Sequence, residues 1–216
     1  EILKHKNFHF VQCDFTRVSK IPIIEKIDIV LHLGGSVAGK NISKEEYRKS
    51  NILSTKLLLE FAIQNRVKKF LFASSVSVYG KQKGKITEKS DILGTSDYAI
   101  SKISAEDILM NNRKIPITIF RIASVYGKQN RSFINKLINL TRKKIIPLPK
   151  SNAIEKNFIF IDDLIEFFLR ELKKSRKSVE IFNIANSEKV NYNKLIEIIS
   201  NKLSAGFLMK IPIGKF

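Results

Sequence analysis

The chain has 216 residues, 44% of them hydrophobic, with 39 Lys and Arg against 20 Asp and Glu and a formal net charge of +19. That is enough apolar material for one large domain or one and a half, and no apolar run reaches the ~18 residues that a bilayer-spanning helix needs, so no membrane partner is expected. One cysteine, Cys13, excludes an internal disulfide and suits a reducing, cytoplasmic compartment. The basic residues are scattered, with no arginine-rich arm or aromatic-basic repeat. That argues against a nucleic-acid partner and leaves a field that attracts small anions. Glu1–Lys4 holds no apolar signal segment and the first residue is not Met, so the sequence reads as an internal piece of a longer protein.

In chain order, Phe8–Cys13 reads as a short strand closed by Asp14. Ile27–Leu33 is a stronger strand, nearly all apolar as a strand buried on both faces should be, and it ends in Gly34-Gly35. Ser43 with Glu46 forms a capping-box pattern that opens a helix running to Asn65, with Leu53, Leu57, Leu58, Phe61 and Ala62 as its apolar stripe. Lys69–Ser74 is the next strand, followed by a polar loop from Gly80 to Thr95. A helix begins near Tyr98, with Ile100, Ile103, Ala105, Ile108 and Leu109 at helical spacing. Ile115–Arg121 is a strand with Pro116 at its start, where proline is tolerated. Beyond Gly127 the pattern predicts a helix over Phe133–Lys143, a strand over Phe158–Ile161, a helix over Asp163–Lys173, a strand over Glu180–Ala185 and a helix over Asn191–Leu203. Alternating apolar strands and crossover-length helices predict an α/β fold with a parallel, doubly wound sheet.

In such sheets ligands bind outside the carboxyl ends of the strands. Asp14, Gly34, Gly35, Ser74, Ser75 and Ser124 fall at four such ends. Tyr98 and Lys102 stand four apart on one helix face. An ammonium beside a phenol lowers the phenol pKa from about 10 towards neutrality, which makes a proton-transfer group. The serine hydroxyls at the end of Lys69–Ser74 are candidates to share that proton. A second Tyr-x-x-x-Lys, Tyr79 with Lys83, is set aside because Gly80 and Gly84 break any helix between them. No metal-ligand set is expected.

These segments resemble the extended short-chain dehydrogenase/reductases of the NAD-dependent epimerase/dehydratase family, which act on nucleotide sugars. Val11–Thr16 resembles the family's third strand with its adenine-contacting Asp, here Asp14. Asp28–Gly35 resembles its "DVVIHLAA" strand, with Gly-Gly for Ala-Ala. Asn51–Leu58 resembles "N-x-x-G-T-x-x-L-L", with Ser54 for the usual Gly. Phe72–Gly80 resembles "SSSxxVYG" and puts Ser75 at the catalytic hydroxyl position. Tyr98 and Lys102 match Tyr-x-x-x-Lys, Phe120–Gly127 resembles "FRPxNVYG", and Lys156–Leu164 resembles "RDFIHVDDL". The resemblance implies a Rossmann-like fold lacking its first βαβ unit, since no G-x-x-G-x-x-G turn is present. It implies a dinucleotide-binding domain over residues 1–127 and a substrate-binding region over 128–216.

The resemblance also implies the chemistry. Hydride passes between a nicotinamide and a sugar carbon while Tyr98 takes the hydroxyl proton, Ser75 shares that hydrogen bond, and Lys102 holds the nicotinamide ribose. It implies NAD as cofactor, with NADP not excluded, held by Asp14, Phe15, Leu33, Gly34, Gly35, Ser36, Asn51, Tyr98 and Lys102. It implies substrate contacts from Ser75, Ser124 and Lys156, with Ser124 where the family usually has Asn and Lys156 where it usually has Arg, a point charge in place of a bidentate fork. The reading is a nucleotide-sugar epimerase working through a 4-keto intermediate. A 4-keto-sugar reductase and a 4,6-dehydratase are the alternatives, with a non-catalytic cofactor-binding protein of the same fold behind them. Dehydratases carry an Asp-Glu pair where this chain has Val76 and Ser77. A homodimer built on the helices around Asn51–Asn65 and Tyr98–Asn111 is also implied. Phe8–Cys13 would normally pair with a strand not in this chain, so it either stands apart or pairs with Asp28–Leu33.

Overall fold

A computed structural model of the chain describes residues 5–21, 26–39, 41–128, 133–149, 155–203 and 209–213. The first strand, β1 (Ile29–His32), leads through Gly34-Gly35 into a long helical stretch. Ser43 opens it by accepting the Glu46 amide at 3.1 Å, one of the amides a helix start leaves without an internal partner. The stretch has three parts: α1 (Lys44–Tyr47), a π-helical turn at Arg48–Leu53, and α2 (Ser54–Gln64). Then come β2 (Lys69–Ser75), a 3₁₀ turn at Val76–Tyr79, α3 (Asp97–Met110) and β3 (Ile117–Ile122). The remainder runs β4 (Ser124–Tyr126), α4 (Phe133–Arg142), β5 (Ile145–Pro149), β6 (Glu155–Lys156), β7 (Phe158–Phe160), α5 (Ile161–Lys173), β8 (Val179–Ile184), β9 (Val190–Asn191), α6 (Tyr192–Lys202) and β10 (Met209–Ile213). Among the described residues no helix is long and apolar enough to cross a membrane.

The chain divides into two units: residues 1–121 with 175–183, and residues 122–174 with 184–216. This differs from a single boundary near residue 127, because β8 returns to the first unit's sheet. That sheet is four-stranded and parallel, in the order β1-β2-β3-β8, with β1 and β2 in register from Ile29–Lys69 to His32–Phe72. Val30, Phe70, Phe72, Ile117 and Ile119 from the strands pack with Leu59, Ala62, Ala105 and Leu109 from α2 and α3. Each such side chain contributes about 1.5–3 kcal/mol by leaving water. In the second unit β4 pairs with β7, β6 with β9 and β5 with β10, around Leu137, Phe158, Tyr192, Leu195, Ile196 and Ile199.

Phe8–Cys13 is not a strand. The segment has no regular structure, and Phe10 and Val11 are 69% and 47% exposed. A short run of aromatic and β-branched residues favours an extended chain, but a strand exists only where a neighbour accepts its backbone hydrogen bonds. Of the two arrangements expected for this segment, it takes the one in which it stands apart.

Candidate active site

β2 has a neighbour on each side, so its apolar residues are enclosed and its chain direction is fixed up to Ser74 and Ser75. Ser75 then starts the Val76–Tyr79 turn by accepting the Ser77 amide at 3.2 Å. Across from it, Ser96 caps α3 by accepting the Ala99 amide at 3.1 Å, which sets Tyr98 in the first turn and Lys102 in the second. The Tyr98 phenol lies close enough to the Ser75 hydroxyl for that hydroxyl to pull its pKa down. Lys102 is buried. Its Nζ donates to the Ala73 carbonyl at 2.8 Å and lies 4.7 Å from the centre of the Phe72 ring. The structure thus brings Ser75, Tyr98 and Lys102 together at the carboxyl end of β2.

The electrostatics differ from the sequence expectation in one respect. Burial is the largest influence on Tyr98 and pushes its phenol above the ordinary 10.0, the nearby Ser75 hydroxyl pulls it down, and neighbouring Tyr47 pushes it up. With the Lys102 ammonium turned to the Ala73 carbonyl, Tyr98 is a neutral phenol in this state, able to donate a proton. Burial lowers Lys102 to about 8, and the Glu106 carboxylate works against that fall.

A cavity of about 270 Å³ lies beside β1, lined by Cys13, Asp14, Phe15, Thr16, His32, Gly34, Gly35, Ser36, Ser50 and Ser54. Five of the residues expected at a dinucleotide are therefore on one wall: Asp14, Phe15, Gly34, Gly35 and Ser36. Asp14 accepts from the Thr16 amide at 2.9 Å and the Thr16 hydroxyl at 2.6 Å, which hold its carboxyl below the usual range, and it pairs with Arg17 at 3.2 Å. Leu33 is half exposed at the strand end. Gly35 has φ +129°, and a Cβ there would stand 2.4 Å from Asn51 Oδ1, so only glycine lets the chain pass this close. Asn51, in the π turn, is engaged by protein groups. Its Oδ1 accepts the Ser36 amide at 2.8 Å, and its Nδ2 donates to the Ser36 carbonyl at 3.1 Å and to Ser101 Oγ at 2.9 Å. It braces the cavity wall against α3. These residues fit one side of a dinucleotide: a glycine pair for close approach, hydroxyls, and a carboxylate at the rim.

Ser124 and Lys156 lie in the second unit. Ser124 is the first residue of β4 and is the register partner of Phe158 on β7, two residues after Lys156, which ends β6. Both are exposed.

The sequence reading passed over several groups here. Tyr47 is buried, its ring is 5.9 Å from that of Tyr98, and its hydroxyl donates to the Val37 carbonyl at 3.2 Å and accepts the Gly39 amide at 3.1 Å. His32 is buried between Phe70 and Phe72. Its Nε2 is 3.0 Å from Thr55 Oγ1, whose own proton goes to the Asn51 carbonyl at 2.6 Å, so His32 is the donor. Glu106 continues the Tyr98–Lys102 series by four more residues, a spacing that was visible in the sequence. His32 was visible as a polar residue inside an apolar run.

The family model for the NAD dependent epimerase/dehydratase family matches residues 1–185. The uncharacterized UDP-glucose epimerase YtcB of Bacillus subtilis is 25% identical over 210 residues, covering 93% of this chain and 66% of that protein. Human dTDP-D-glucose 4,6-dehydratase is 32% identical over 198 residues, covering 86% of this chain and 56% of that protein. The crystal structure of UDP-glucuronic acid 4-epimerase from Bacillus cereus in complex with NAD superposes with a TM-score of 0.88 at 26% identity, over 98% of this chain and 71% of that one. The chain thus spans about two thirds or less of the length of these two curated relatives. With the family model matching most of the chain and the parallel sheet superposing on a solved relative, the chain belongs to the NAD dependent epimerase/dehydratase family.

Proposed function

We propose that the full-length protein is an NAD-dependent nucleotide-sugar epimerase whose catalytic residues are Ser75, Tyr98 and Lys102. The observation that carries the reading is the Ser75 hydroxyl at the end of β2 set beside the Tyr98 phenol, with buried Lys102 one helical turn further along α3. The resting Tyr98 phenol first gives its proton to solvent, and the phenolate then takes the proton of a sugar hydroxyl as the C–H bond on the same carbon breaks, while Ser75 holds that oxygen. A bound nicotinamide supplies the hydride acceptor. The ketone then turns over in the site, its other face receives the hydrogen, and Tyr98 returns the proton. Asp14, Phe15, Leu33, Gly34, Gly35 and Ser36 would hold the cofactor, with Asn51 fixing Ser36. Ser124 and Lys156 would face the nucleotide sugar, Lys156 as a point charge for its phosphates. Val76 and Ser77 cannot titrate, which favours epimerisation over elimination of water. The exposed Leu53 and Ile100 supply the apolar face for a homodimer.

The test incubates the full-length protein with NAD and nucleoside-diphosphate sugars in deuterated water. An epimer with no solvent deuterium on carbon supports the reading, because the hydrogen leaves and returns to one carbon. A 4-keto-6-deoxy product carrying solvent deuterium identifies a dehydratase and overturns it.

A further inference from the structure

Glu106 and Arg121 are enclosed in the first unit, and the chemistry above uses neither. Glu106 is 2% exposed and Arg121 is 3% exposed. Glu106 lies on α3, four residues after Lys102 and eight after Tyr98, so the three share a helix face. Arg121, on β3, meets it as a fork: Nε donates to Oε1 and Oε2 at 3.2 and 3.1 Å, and Nη2 donates to Oε2 at 2.7 Å. Nη1 donates to the Tyr79 hydroxyl at 2.9 Å and to the Glu88 carbonyl at 3.3 Å. The Tyr79 hydroxyl donates to Asn183 Oδ1 at 2.6 Å, and the Ser74 hydroxyl donates to Glu106 Oε1. The end of β2, the turn after it, the Glu88 loop, α3 and β3 therefore meet at this pair, and β8 joins them through the Tyr79 hydroxyl.

A buried ion pair is a weak source of stability, since desolvation offsets most of the attraction, so geometry is the better account of its use. Ser74 directly precedes Ser75, Tyr79 closes the turn that Ser75 opens, and Lys102 is one helical turn away. We propose that Glu106 and Arg121 are positioning residues that hold Ser75 in register with Tyr98 and Lys102. The proposal rests on reading those three as the proton-transfer centre. The groups around Lys102 are Tyr98 and Glu106 on α3, His32 on β1, and the Ala73 carbonyl and Phe72 ring on β2. Of these, Glu106 brings the negative charge, and burial alone would carry Lys102 further down than about 8. Removing that charge makes Lys102 lose its proton at a lower pH.

The test is steady-state kinetics of the full-length protein from about pH 6 to about pH 10. Glu106→Gln is expected to lower kcat about tenfold to a hundredfold, with KM changed less than about threefold, and to move the alkaline fall of kcat down by about one pH unit. Glu106→Asp should restore part of that shift. Tyr79→Phe keeps both charges and should lower kcat with the alkaline limb in place. If Glu106→Gln does not fold, the double variant Glu106→Gln/Arg121→Met removes both members of the buried pair, so Arg121 is not left without its carboxylate, and carries the same measurement. An unmoved alkaline limb in the folded variant, whatever its melting temperature, overturns the proposal. Full turnover by Tyr98→Phe overturns the reading of the site and this proposal with it. Lost turnover in Tyr98→Phe with an unmoved limb in Glu106→Gln overturns this proposal alone.

Discussion

His32 makes acid pH expensive for this fold. It is 4% exposed, donates to Thr55, and sits between two phenylalanine rings. Burial, with a smaller push from the Lys102 charge, lowers its pKa from 6.5 to about 4. The folded state therefore binds a proton less readily than the unfolded state. His32 contributes stability in full above pH 6.5, and that contribution is lost as the pH falls towards about 4. At about 1.4 kcal/mol per pH unit, the loss is roughly 3 kcal/mol, a large share of the stability of an ordinary domain. The perturbation is His32→Gln, which keeps an amide donor for Thr55 and cannot titrate. The assay is urea unfolding of both full-length proteins at a series of pH values, followed by circular dichroism. The carboxylates titrate in both proteins, so the difference between the two curves isolates His32. The wild type should lose stability faster by up to about 1.4 kcal/mol per pH unit across this window. Parallel curves would show that His32 is not held neutral by its surroundings.

Tyr98→Phe in the full-length enzyme should cut turnover by roughly two to four orders of magnitude, with substrate affinity little changed, as steady-state kinetics would show. A pH series of the wild-type kcat should show its alkaline fall near pH 8, where Lys102 loses its charge. Gly35→Ala should cost about 1–3 kcal/mol in urea unfolding, because the new Cβ strains a φ of +129° and displaces the Asn51 amide from Ser36. Leu53→Glu with Ile100→Glu should convert a dimer to a monomer in sedimentation at micromolar concentration, since both side chains are about 40% exposed on neighbouring helices.

The sequence carried what depends on local pattern. The buried strands announced themselves as unbroken apolar runs, Ser43 marked a helix start, and the Tyr98–Lys102 spacing marked a helix face. It did not carry what depends on a distant partner. Phe8–Cys13 reads like a short apolar strand, but an apolar run does not supply a neighbour. The π turn at Arg48–Leu53 is silent in the sequence because its helical pattern is ordinary; in the structure it carries Asn51, which binds Ser36 and Ser101 on two other segments. Ser124 was expected at a bare strand end and instead begins β4, because its partner, Phe158, lies far along the chain. Glu106 showed its spacing to Lys102, but only folding reveals that Arg121 encloses it.

β8 reaches the sheet late. The chain leaves the first unit after Arg121 and rejoins it at Ser175, so on the ribosome β3 waits beside an empty lane while residues 122–174 are made. At 5–20 residues per second that wait is on the order of seconds. Ile117–Arg121, wholly buried in the finished protein, is meanwhile an open apolar edge, the kind that recruits other nascent chains. Asn183, which receives the Tyr79 hydroxyl and gives its amide to the Glu88 carboxylate at 2.7 Å, arrives at the end of the same wait. Slowing translation between residues 122 and 174 should therefore lower the yield of soluble protein while leaving the molecules that do mature unchanged.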